Sequence, residues 1–263
     1  MPSFDVLTVL PGLFSGFLTE GVIGRAIKSG KISVKIHNLR DFTTDRHRVV
    51  DDVPYGGGPG MVLKPEPIFR AFDHICEERG KKPYVILTEP WGETFTQKKA
   101  IELSKKENIL IICGRYEGVD ERVKAIVDEE ISIGNYVLTG GELPGMVIMD
   151  AVIRLIPGVL GSRESLEADS FSDRGLMGYP NYTRPAEYRG MKVPEILLSG
   201  HHKKIELWRK EKSIEKTYLR NPSLIEKLLK DGKFSKEEER IVREVIRKFS
   251  NKVKGSNDGN RSI

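Results

Sequence analysis

Three stretches of this 263-residue sequence set glycines among polar and aromatic side chains in a way that lets backbone close on a small ligand. Tyr55-Gly56-Gly57-Gly58-Pro59-Gly60-Met61 packs four glycines into seven positions, and such a loop can take left-handed angles and approach a ligand closely. It lacks the Gly-Lys-Ser/Thr ending of a triphosphate loop and does not fit a dinucleotide fingerprint, so a binding role and a plain structural turn weigh equally. Before it, Asp45, Arg46, His47, Arg48, Asp51 and Asp52 suggest a polar loop. Gly114-Arg115-Tyr116-Glu117-Gly118-Val119-Asp120-Glu121-Arg122 directly follows an apolar run ending at Cys113, where open α/β sheets place their ligands. The plainer alternative is a surface turn into a charged helix start, with Asp120 and Glu121 favoured by the helix dipole. Residues 132–145 leave a further apolar run, and their backbone groups could read the edge of a flat heterocycle such as adenine. Ile133, Tyr136 and Leu138 would supply the apolar walls of that pocket.

These turns need a scaffold. From Phe4 to Leu155 short apolar runs alternate with longer amphipathic stretches, the pattern of a parallel sheet flanked by helices. Runs at 4–9, 32–36, 84–87, 109–113 and 131–133 are rich in Val and Ile, bounded by turn residues, and read as strands. Helical spacing marks 67–79, 97–106, 119–127 and 146–156, the last stopped by Pro157-Gly158. Residues 161–190 are polar, with no sustained periodicity, and a structureless stretch of that length inside an ordered protein is usually functional or disordered. Helical periodicity resumes at 195–250 through Ile205, Leu207, Trp208, then Leu224, Ile225, Leu228, Leu229, then Ile241, Val242, Val245, Ile246. Asn221-Pro222 and the Ser235/Glu238 pair are start signals for its later helices.

The net charge of +5 and pI near 9.0 are unevenly distributed. Residues 201–254 hold 17 Lys and Arg against 9 Asp and Glu, a net +8 that leaves −3 for the remainder. A solvated helical face explains an isolated cluster as well as nucleic acid does, but the segregation favours RNA or DNA as partner. No apolar run approaches the roughly 20 residues that cross a bilayer, which predicts no membrane span. The start lacks a secretory pattern, so a cytoplasmic location is expected. Cys76 and Cys113 both stand in apolar surroundings and read as reduced, buried thiols.

Pro54-Tyr55-Gly56-Gly57-Gly58-Pro59-Gly60-Met61, Gly114-Arg115-Tyr116-Glu117-Gly118, residues 132–144, Asp169-Ser170-Phe171 and Tyr182-Thr183-Arg184-Pro185 resemble segments of the bacterial tRNA (guanine-N1)-methyltransferases. The resemblance spans nearly the whole chain, includes Leu198-Ser199-Gly200-His201-His202, and leaves out only the tail. It implies an α/β fold: a mostly parallel sheet with flanking helices and a deep trefoil knot at the cofactor site, plus a small C-terminal all-helical domain. Topology rules alone would not suggest a knot. The implied domains are a knotted S-adenosylmethionine-binding catalytic domain at 1–160, a linker with the catalytic base at 161–190, a helical tRNA-binding domain at 191–250 and a disordered tail at 251–263. A homodimer with active sites at the subunit interface is implied as well.

By motif matching, the cofactor would be held by Leu87, Thr88, Pro90, Gly114, Tyr116 and Glu117, together with Ile133, Gly134, Tyr136, Leu138, Gly140, Gly141 and Pro144. Around Thr88-Glu89-Pro90-Trp91-Gly92 the chain carries one residue more than the family's Ser-Pro-x-Gly turn. The implied reaction moves a methyl group to N1 of the guanine immediately 3′ of the anticodon, preceded by another guanine. Asp169 matches the family's general base, although by itself it reads as a solvated loop residue or helix cap. Arg154 matches the group that stabilises charge on O6, although by itself it reads as a charged helix end. The resemblance also implies use of Mg2+, for which no carboxylate or histidine cluster specifies a site; His201-His202 reads as part of the helical cap. The alternatives are a related knotted methyltransferase acting on another RNA base, and an RNA-binding protein without catalysis whose glycine turns are structural. On the leading reading, the three glycine-bearing turns converge on one cavity.

Overall fold

Strands covered on both faces need largely apolar side chains, and the runs at 4–9, 84–87 and 109–113 meet that need as the inner strands of one sheet, with those at 32–36 and 131–133 at its edges. The computed structural model describes residues 1–160, 169–171 and 174–257. In chain order come β1 (Ser3–Thr8), β2 (Ser33–Asn38), a short antiparallel pair β3 (Asp51–Asp52) and β4 (Val62–Leu63), then β5 (Tyr84–Thr94), β6 (Asn108–Cys113) and β7 (Glu129–Ser132). Helices α1 (Ser15–Thr19) and α2 (Gly21–Lys28) link β1 to β2, α3 (Pro65–Arg79) leads into β5, α4 (Gln97–Leu103) joins β5 to β6, and α5 (Glu142–Ile153) follows β7. The main sheet has the order β2-β1-β6-β5-β7, and every neighbouring pair is parallel.

Alternation along each strand divides the core. Phe4, Val6, Ile86, Ile109 and Ile111 face one side, where Ile23, Ala100, Leu103, Ile148, Met149 and Val152 bring in α2, α4 and α5. Leu7, Val85, Leu87, Leu110 and Ile112 face the other side, under Ile68, Ala71 and Ile75 of α3. Asp5 is buried on β1, where Arg79 at the end of α3 donates two hydrogen bonds of 2.9 Å and His37 of β2 lies at 2.8 Å. Its carboxyl resists burial through those two partners, which hold it below the usual carboxylate range.

Two expected helices are corrected. The 119–127 stretch forms only a 3-10 turn over Glu121–Ala125. Asp120 caps that turn by accepting the Arg122 N–H at 3.0 Å, and Asp128 accepts the Val85 N–H at 2.8 Å, so the chain is already committed to the sheet. The helix expected at 146–156 runs instead over Glu142–Ile153, because Glu142 is drawn into the interior by a bond from Thr8 at 2.8 Å. Cys113 is buried as expected, but Cys76 is partly exposed on α3.

The chain divides into two compact units, Met1–Ser162 and Arg163–Ile263. In the second, a two-strand hairpin of β8 (Glu187–Tyr188) and β9 (Met191–Lys192) turns on Arg189 and Gly190, both with positive φ. Helices α6 (Glu195–Leu198), α7 (His202–Arg220), α8 (Pro222–Lys230) and α9 (Lys236–Asn257) follow. Their core is Ile214, Ile225, Leu228, Phe234, Ile241, Val242 and Val245. Both expected helix starts have the geometry their residues imply. Asn221 accepts the Leu224 N–H at 3.2 Å, while Ser235 and Glu238 exchange reciprocal bonds of 3.3 and 2.8 Å.

The expected linker and tail need adjustment. Residues 174–178 are bonded to this bundle: the Ser213 hydroxyl donates to the Met177 carbonyl at 2.6 Å, and Arg174 donates to Glu238 at 3.0 and 3.3 Å. Residues 251–257, expected in the tail, belong to α9, which continues to Asn257. What was expected of 161–168, 172–173 and 258–263 lies outside the described residues.

Candidate active site

A parallel sheet leaves its ligands a crevice beyond the carboxyl ends of its strands, and here β5, β6 and β7 end side by side around one. Thr88 pairs with Cys113 on one side and with Ile131 on the other. Glu93 pairs with the same Ile131, so residues 89–92 arch out of the ladder between the two contacts. That arch holds the 88–92 stretch singled out in the sequence. Trp91 pins it by donating its indole N–H to Glu130 at 3.0 Å, and Gly92 lets it pass the β7 backbone, since a Cβ there would sit 2.6 Å from the Glu130 carbonyl.

The cavity so formed measures about 300 Å³, within the range of small-ligand pockets. Thr88 and Pro90 line it from β5, and Gly114, Tyr116 and Glu117 from the turn after β6. Ile133, Gly134, Tyr136 and Leu138, followed by Gly140, Gly141 and Pro144, enclose it from the segment between β7 and α5. Leu87 is the exception among the expected cofactor contacts. It is fully buried and belongs to the α3 face, because side chains one position apart on a strand point to opposite sides.

The second and third glycine turns meet directly. Gly141 donates its N–H to the Gly114 carbonyl at 2.7 Å, and Arg115 bridges Gly140. A Cβ on Gly141 would collide with Thr88 Oγ1 and approach Gly114 N to 2.9 Å, so only glycine permits the crossing. Tyr116 at φ 59° and Gly118 at φ 107° bend the turn after β6 through the left-handed region. The first glycine turn does not line the cavity. Gly60 lies against the Glu117 side chain, and the Glu117 N–H reaches the Met61 carbonyl at 3.0 Å, so this loop backs the second turn from outside.

Side chains that sequence reasoning missed complete the wall. Arg115 lies 3.6 Å from Glu142, which is buried in the first turn of α5, where the helix dipole favours a carboxylate. Glu89 lines the cavity from the arch while only 6% exposed. Burial, reinforced by the negative charge of Glu130, pushes its carboxyl up to about 7. The sequence signal for Glu89 and Trp91 was the unusual turn at 88–92 that contains them. Burial likewise raises the Cys113 thiol, which removes it as a nucleophile.

Neither Arg154 nor Asp169 is among the residues lining this cavity. Arg154 caps the end of α5 in the first unit, with its N–H on the Asp150 carbonyl at 3.3 Å. Asp169 belongs to the second unit, beside Ser170, whose hydroxyl accepts the Gly178 N–H at 2.9 Å, and Phe171, which takes a positive φ of 68°. Among the described residues no group of three His, Cys, Asp or Glu side chains is placed to hold a metal ion, and no helix is long and apolar enough to cross a membrane.

Comparison with known proteins bears on the same segments. The family model described as tRNA (Guanine-1)-methyltransferase TrmD matches residues 2–227. A tRNA (guanine-N(1)-)-methyltransferase of Persephonella marina is 67% identical over 224 residues, covering 85% of this chain and 88% of that protein. One from a Sulfurihydrogenibium species is 59% identical, covering 92% of each. The crystal structure of tRNA (m1G37) methyltransferase from Aquifex aeolicus is similar at a TM-score of 0.70 and 54% identity, covering 87% of this chain and 96% of that one.

Proposed function

The chain belongs to the tRNA (guanine-1)-methyltransferase family, and from that premise we propose that it methylates N1 of the guanine immediately 3′ of the anticodon in tRNA, using S-adenosylmethionine. The observation that carries the reading is the meeting of Gly114 and Gly141 in one cavity at the carboxyl ends of three parallel strands. The cavity fits an adenosyl group. Ile133, Leu138 and Pro144 offer apolar walls, while the glycines at 114, 134, 140 and 141 leave peptide groups uncovered to meet the polar edges of a nucleoside. When bound there, the cofactor supplies an electrophilic methyl group on a sulfonium sulfur. The deep trefoil knot at this site is part of the family's fold and of the same reading.

Guanine N1 carries a hydrogen that must leave as the N–C bond forms. Asp169 is assigned to take that proton, and Arg154 to hold its guanidinium against the charge that builds on O6. The second unit, with its net +8 over 201–254, would grip tRNA phosphates. A homodimer with each active site at the subunit interface, a cytoplasmic location and use of Mg2+ complete the proposal; no residue of this chain is assigned to the metal.

The decisive assay is methyl transfer to tRNA transcripts with and without guanine at the target position, with the modified base mapped. Methylation of the first alone, at N1, is expected; methylation at another base would point to a different member of the knotted enzymes. Asp169→Ala should abolish turnover while calorimetry still records cofactor binding. Retained turnover would remove Asp169 from the role of base.

A further inference from the structure

The Glu89 carboxyl is a buried acid without a direct partner among the described residues. Among the described residues it accepts no hydrogen bond and forms no ion pair, although buried carboxylates ordinarily have both. Its Oε1 stands over the second glycine turn, 3.7 and 3.6 Å from where a Cβ on Gly114 or Gly118 would lie, so it faces the cavity. The charges around it are mostly negative or already taken. Glu130 on β7 and Glu121 on the 3-10 turn repel it, while Lys124, the nearby cation, is engaged by Glu121 at 2.8 Å and Glu130 at 3.4 Å. Within the lining, Glu117 adds a second acid, and the Arg115 guanidinium is turned to Glu142. The wall therefore presents uncompensated negative charge to whatever fills the space.

On the reading above, the ligand is a sulfonium cation before transfer and an uncharged thioether after it. We infer that Glu89 makes the site select the charged methyl donor over the spent product, by direct attraction between its carboxylate and the sulfonium side of the bound cofactor. The attraction lies in a setting shielded from water, where charges act strongly on one another. Selection of this kind favours release of product and re-entry of donor without any movement of the chain. It also has a pH signature. The free carboxyl titrates near 7, and a bound cation lowers that value, so donor affinity should rise as pH climbs towards 7 and level off above it. The product has no sulfonium, so Glu89 should leave its affinity nearly flat.

Calorimetric titration of the full-length protein with S-adenosylmethionine and with S-adenosylhomocysteine, at about pH 6 and about pH 8, tests the inference directly. In the unmodified protein the preference for donor over product should increase about fivefold between the two if the bound sulfonium lowers that carboxyl by about one pKa unit. In Glu89→Gln that increase should vanish, with product binding retained. A preference that does not change with pH in the unmodified protein overturns the inference however the variant folds. Equal weakening of both ligands in Glu89→Gln also overturns it, since Glu89 would then hold the shared part of the cofactor. Failure of the unmodified protein to bind either ligand would instead count against the methyltransferase reading itself.

Discussion

Gly141 carries more of the site than any side chain around it, because its missing Cβ lets the segment entering α5 lie on the end of β6. A methyl group there has no direction in which to move: Thr88 Oγ1 lies on one side and the Gly114 and Cys113 backbone on the other. Overpacking of this kind costs about 1 to 3 kcal/mol where neighbours are rigid. Gly141→Ala is therefore expected to lower the stability of the first unit by about that amount in thermal or denaturant unfolding. Cofactor affinity should fall at least about tenfold if the same shift misplaces Gly114 and Gly140 by a fraction of an ångström. Unchanged stability and affinity would mean that the two turns do not meet in solution. Arg115 and Glu142 extend the same logic in side chains, with Thr8 holding the far oxygen of the carboxylate.

Among the elements, α9 depends most visibly on a few polar contacts at its start. Ser235 and Glu238 cap it reciprocally, and Arg174 binds the same carboxylate from 64 residues earlier in the chain. Although burial opposes the charge, the bond and positive charge of Arg174 with the Ser235 N–H hold the Glu238 carboxyl down to about 2. A folded value below the ordinary 4.5 means that this stabilisation is complete above about 4.5 and is lost as pH falls towards 2. Unfolding of the second unit, followed by its helical circular dichroism, should show that loss in the unmodified protein. Glu238→Ala should be less stable by roughly 1 to 2 kcal/mol at neutral pH and nearly level between the two values. An equally steep acid transition in the variant would place the responsible carboxylate elsewhere.

For the molecule as a whole, charge follows the division into units. The net +8 of residues 201–254 belongs to the second unit, and the rest of the chain is net −3. Binding that neutralises several phosphates weakens steeply with salt. Filter or fluorescence titrations of tRNA should therefore lose about a thousandfold in affinity between roughly 50 and 200 mM salt if some six phosphates are engaged. S-adenosylmethionine affinity, on the binding proposed for the first unit's cavity, should change far less over the same range. An affinity for tRNA that ignores salt would remove the basic bundle from RNA binding.

Local information was enough for much of this protein. The inner strands β1, β5 and β6 were legible because a strand covered on both faces must be largely apolar, the edge strands β2 and β7 from short Val and Ile runs between turn residues, and the starts of α8 and α9 because Asn221, Ser235 and Glu238 cap by spacing alone. Most of the cavity lining could be named from motif resemblance, for the turns that build it are contiguous in sequence. The tertiary structure decided what depends on distant chain segments coming together. It sent Leu87 to the opposite face from Thr88, and moved the Tyr55–Met61 glycines behind the site rather than into it. It also turned an unremarkable Glu89 into a buried acid, since only the folded arch between Thr88 and Glu93 says which way that carboxyl points and which charges surround it. Burial and electrostatic environment are properties of contacts across the chain, and no window of neighbouring residues contains them.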